Sequence, residues 1–111
     1  MKTQVIGLTM TLLAASALSR MTFAGFDGNP CAAGAKAVGT VEADTDPNQQ
    51  APINLTGALL VIASAPIAQG AAVQSDASGQ AITQSGTGLI NGYALDAAIN
   101  PGDIIRIARG I

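Results

Sequence analysis

The sequence predicts a small all-β domain, and three observations carry the prediction. Apolar residues recur at a spacing of two in several short runs, which is the strand period. Turn residues punctuate the chain, in stretches such as DGNP, ASGQ and NPGD, and 13 glycines and 5 prolines lie among 111 residues. No sustained apolar stripe with helical spacing and capped ends competes with this pattern.

The elements follow in order. Residues 3–13 (TQVIGLTMTLL) form a first extended segment, with Ile6, Leu8, Met10 and Leu12 on one side and Gly7, Thr9 and Thr11 on the other. The same region fits a secretory leader superficially, but its alternation is that of a strand kept in the mature protein. Residues 20–26 (RMTFAGF) make a second segment, closed by DGNP, and residues 35–41 (AKAVGTV) a third. Residues 42–51 (EADTDPNQQA) carry Glu42, Asp44 and Asp46 and form an exposed loop. Residues 53–63 give one or two strands with a bend at Gly57, and Pro66 is confined to a strand start or edge. A hairpin spans 71–85, turning at ASGQ. LINGYAL and DIIRIAR complete the domain, separated by AINPGD. In the last segment Ile105 and Ile107 share one face and Arg106 takes the other. Residues 12–20 hold good helix formers without caps, and 94–99 allow one short helical turn.

Composition narrows the function. The length suits one domain. Of the apolar residues 22 are alanine, and there is no tryptophan and one tyrosine. The core is therefore thin and aliphatic, and such a small domain gains from a partner. A net charge of −2 with 11% charged residues lacks the basic patch that nucleic acid requires. No uninterrupted apolar run is long enough for a membrane helix, since APINLTGALLVIASAPIA is broken by Pro52, Gly57 and Pro66.

Catalytic chemistry finds few parts. The chain has no histidine, so no Ser–His–Asp or Cys–His set is available. Cys31 is the single cysteine and reads as a small buried hydrophobe. DTDPN at 44–48 lacks the turn glycine and the distal acid of a calcium loop. SGTG and DGNP lack the Lys-Ser/Thr of a phosphate cradle. Asp96, Asp103 and Arg106 lie close together in GYALDAAINPGDIIRI. That stretch reads as a turn and a closing strand, with Arg106 or Arg109 left to pair with an acid on another chain. No catalytic residue, metal ligand or cofactor is expected.

Four segments in order resemble the capsid cement (head decoration) proteins of tailed bacteriophages: the opening MKTQ with its alternating strand, FAGFDGNPCAAGAKAVGTVEAD, GAAVQSDASGQAI and GYALDAAINPGDIIRI. The resemblance covers nearly the whole chain, least well at 44–52 and 84–88. It implies a non-enzymatic virion protein with a small β-barrel or jelly-roll-like sandwich. Such a protein binds the outside of a mature shell built from a major capsid protein of the HK97-like fold. It bridges capsomers against internal DNA pressure and clusters as homotrimers at threefold positions or, alternatively, homodimers at twofolds. On this basis residues 1–19 form an N-terminal arm and first strand, and 20–111 the β-domain. Gln4, Ile6, Leu8, Met10, Leu12, Arg106 and Arg109 are the candidate contacts with the shell or with neighbouring subunits, the exposed arm adding a strand to its partner. The rival assignments are a tail or fibre subunit and a secreted adhesin-like subunit.

Overall fold

The structure, a computed structural model, describes residues 3–110. Met1 and Lys2 of the expected arm, and Ile111, lie outside the described residues. The described residues form eight strands: β1 (Val5–Leu13), β2 (Phe23–Ala24), β3 (Gly39–Val41), β4 (Gln50–Ile62), β5 (Ala72–Ser75), β6 (Ala81–Thr83), β7 (Gly92–Ala94) and β8 (Ile104–Arg109). No helix occurs among the described residues, so the helix formers at 12–20 and the turn at 94–99 are overridden. Leu18 is instead buried and tied to Thr45 by reciprocal backbone bonds of 2.9 Å. Ala98 bridges Ile67.

The strands run in the order β2-β3-β4-β8-β7-β5-β6, all pairs antiparallel, with β1 added to β4 outside that path. The two ends of the path approach each other. Ala81 of β6 bridges Ala63, and Phe23 of β2 donates its N–H to Gly79 in the β5–β6 turn. The sheet is thereby a nearly closed barrel, which removes most exposed strand edges.

The interior follows the period of two. On β8, Ile105 and Ile107 point inward, opposite Val61 and Leu59 of β4, and all four are fully buried with Phe23 and Val73. Burying such side chains contributes about 1.5–3 kcal/mol each. A second, smaller cluster holds Leu18, Val38, Val41, Ala51 and Ile53, with Leu12 packed against it.

β4 is one strand of 13 residues, not two. Gly57 has φ +120°, and a side chain there would collide with the Val5 carbonyl. The register with β1 slips by one residue after Ile6 and recovers after Leu8. One edge of β4 carries β1. The other is shared, with β3 along Ile53–Asn54 and β8 along Gly57–Ile62.

Candidate functional site

β1 is solvated on both faces. Every residue from Val5 to Thr11 is exposed, and only Leu12 is half-buried. Val5 (65%), Leu8 (57%) and Leu13 (54%) are the most open of its large side chains, and Ile6 and Met10 are also exposed. Alternation therefore identified a strand, but not one with a buried face. The strand is nevertheless held firmly. Gln4 extends the ladder with its side chain: Oε1 accepts from the Leu60 N–H at 2.9 Å, and Nε2 donates to Glu42 Oε2 at 3.1 Å. Glu42 also accepts from Asn54 Nδ2, and Asn54 Oδ1 accepts from the Thr9 hydroxyl at 2.9 Å. Glu42, expected in an exposed loop, is thus a half-buried anchor for β1.

The two arginines of β8 have different surroundings. Arg106 lies on the outer face and forms a bidentate pair with Asp96, Nε to Oδ2 and Nη2 to Oδ1 at 3.0 Å each, while Asp96 Oδ2 also accepts the Arg106 N–H. The hydrogen bond to Asp96 raises the guanidinium pKa further. Arg109 departs from the expectation of an exposed cation: it is 5% exposed. Its guanidinium fills the seam on β4 where β3 ends and β8 begins. Four backbone carbonyls accept from it: Leu55 (2.8 Å), Asn91 (3.0 Å), Val38 (3.1 Å) and Ala37. Burial lowers its pKa from the usual guanidinium value. The planar fork suits this task, because it reaches several acceptors at once.

Three further acids hold turns. Asp103 accepts from the N–H groups of Ile99 (2.9 Å) and Asn100 (3.0 Å), closing the AINPGD turn. Asp76 accepts from Ser64, Ser78 and Gln80 in the β5–β6 hairpin. Asp27 accepts from Asn29 N–H, which lowers its pKa, and its loop presents Phe26 at 65% exposure. The Phe26 position escaped the sequence analysis, although an aromatic inside a glycine turn was its visible sign. So did an outward row that crosses the sheet: Val5, Ala58, Ala108, Tyr93 and Ala72 stand opposite one another in succession. Two shallow grooves of about 250 and 300 Å³ flank Lys36. Lys36 Nζ donates to the Ile90 carbonyl at 2.9 Å. No group of three or more metal-ligating side chains occurs among the described residues.

The barrel thus presents an uncharged, solvated strand on its outside. The profile described as phage cement protein matches residues 1–109. The chain belongs to the phage cement protein family. It is a structural protein of the phage virion, located in the capsid, and this family is not a class of enzymes. No curated protein matches. Among solved structures it is similar to the head fibre gp8.5 N base of bacteriophage phi29, with a TM-score of 0.75, 20% identity and 93% of each chain covered. At that identity the likeness concerns the fold, and it agrees with the all-β barrel of this cement-family chain.

Proposed function

We propose that this chain binds the outer surface of the mature phage capsid and cements neighbouring capsomers of a major capsid protein with the HK97-like fold. It stabilises the head against internal DNA pressure. The observation that carries this reading is the cement-family match over residues 1–109. The geometry supports it, since the nearly closed barrel leaves β1 exposed and uncharged on its outside. Gln4 holds that strand in place, while Ile6, Leu8, Met10 and Leu12 form its contact set, and Arg106 lies on the adjacent outer face. Arg109, being buried, acts through the seam it supports. Copies cluster as homotrimers at threefold positions, with homodimers at twofolds as the alternative. Many weak contacts on one shell add up through high effective concentration. Co-sedimentation with decoration-free shells is the test. Saturable binding is expected, and the copy number per shell distinguishes threefold from twofold sites. Absence of binding to mature shells would overturn the reading.

A further inference from the structure

The loop between β2 and β3 presents an aromatic ring to solvent, with Phe26 65% exposed. The turn that carries it is tied down on both sides. Gly25 N–H donates to the Asn29 carbonyl at 2.8 Å, and the Gly28 carbonyl accepts from Ala15 N–H at 2.9 Å. Asp27 Oδ1 accepts from Asn29 N–H at 3.0 Å, and Ser16 Oγ donates to Asn29 Oδ1 at 2.9 Å. A ring held out on a preformed turn loses little conformational freedom when a partner covers it. Aromatic side chains are enriched at the cores of protein interfaces. The neighbouring Asp27 is exposed as well, so the turn offers a ring and a carboxylate together.

The groove of about 250 Å³ beside Lys36 has the opposite character. Ile90, Tyr93 and Ala108 line it and are exposed, with Tyr93 of β7 directly opposite Ala108 of β8. A cavity of about 150 Å³ already admits a benzene ring, so a phenyl side chain fits this space. Lys36 and Arg109 line the same groove, and no carboxylate lines it among the described residues. Both cations are held by carbonyl oxygens alone: Lys36 by Ile90, and Arg109 by its four acceptors. An apolar wall beside two cations without a counter-ion suits an occupant that brings both a ring and a negative charge. A free anion would answer the charge and leave the wall in water.

This chain carries such an occupant in Phe26 and Asp27. They line the other groove, across Lys36, so they do not fill the first groove of their own copy. We propose that Phe26 of one copy inserts into the Ile90–Tyr93–Ala108 groove of a second copy and brings Asp27 to that copy's Lys36. The inference rests on the capsid reading for its setting, because copies on one shell meet at high effective concentration. Burial of the ring supplies the affinity, and the Asp27–Lys36 pair fixes the direction of entry. Each copy offers both knob and groove, so the contact serves a threefold or a twofold cluster alike.

The full-length chain with Phe26→p-benzoylphenylalanine keeps an aromatic knob and makes it photoreactive. Irradiation of the free protein at about 0.1 mM is expected to give a covalent dimer. Mass spectrometry should place the link at residues 90–93 or 108–110 of the second copy. No dimer, or a link to another surface, would overturn the proposal. Phe26→Ala removes an exposed ring and leaves the fold intact. It is expected to weaken self-association about tenfold or more by sedimentation, and unchanged association would also overturn the contact. Asp27→Asn keeps the acceptor for Asn29 N–H, loses only the charge, and is expected to weaken association about two- to fivefold. Shell binding is measured separately. Saturable binding without the cross-link would remove this contact and leave the cement reading intact. The cross-link without shell binding would do the reverse.

Discussion

At the scale of single residues, Arg109 shows how position overrides type. A basic residue at the end of DIIRIAR is ordinarily solvated, yet here it satisfies four buried carbonyls at a branch in the sheet. Arg109→Ala would leave those acceptors unpaired and is expected to cost about 3 kcal/mol or more of stability, measured by urea unfolding. Arg109→Lys is expected to recover little, because an ammonium cannot span both sides of the seam. Cys31 gives a second residue-scale prediction. Burial pushes its thiol pKa up from the ordinary 9.0, while a hydrogen bond from Ser75 opposes the shift. The folded state then holds a proton that the unfolded state releases. The sign follows: the associated stability is complete below pH 9.0 and is lost as pH rises through the elevated folded value. Stability curves between pH 8 and 11 should therefore fall less steeply for Cys31→Ala than for wild type, whatever the cavity costs at neutral pH. Identical slopes would exclude this contribution.

At the scale of elements, β1 is attached by a ladder and by a polar clasp. Gln4 closes its N-terminal end on Leu60 and Glu42. Gln4→Ala is expected to cost about 1 kcal/mol locally and to speed hydrogen exchange of the Leu60 amide several-fold. The barrel amides of β5 and β7 should keep their protection. If all amides accelerated together, β1 would belong to the cooperative core. The same elements show what could be read in advance. The 71–85 hairpin and the alternation of DIIRIAR are local patterns, and both were legible. The three-partner role of β4 was not, because the exchange of β3 for β8 along one edge depends on contacts far apart in sequence. Arg109 and Glu42 were misplaced for the same reason: the features that bury them lie on other strands. The helix formers at 12–20 misled less, since nothing capped them, and the Leu18–Thr45 bonds supply what a helix would have supplied.

At the scale of the whole molecule, the charges are largely turned to internal use. Asp27, Asp44, Asp76 and Asp103 accept backbone N–H groups at turns and loop ends, Asp96 neutralises Arg106, and Arg109 is buried. Closure of the barrel then leaves an uncharged strand as the outward element. If the chain docks through β1 as proposed, the contact is apolar, and its affinity should be insensitive to screening. Raising sodium chloride from about 0.05 to about 0.5 M is expected to change shell affinity by less than about twofold, whereas sulfate, which strengthens apolar burial, should tighten it. Co-sedimentation isotherms on decoration-free shells decide the matter. A tenfold loss in high salt would place the contact on charged surface instead, at Lys36 or the acidic 42–50 loop, since screening acts only where charges face each other across water. Full occupancy in high salt, together with loss of binding by Leu8→Lys, would assign it to the strand.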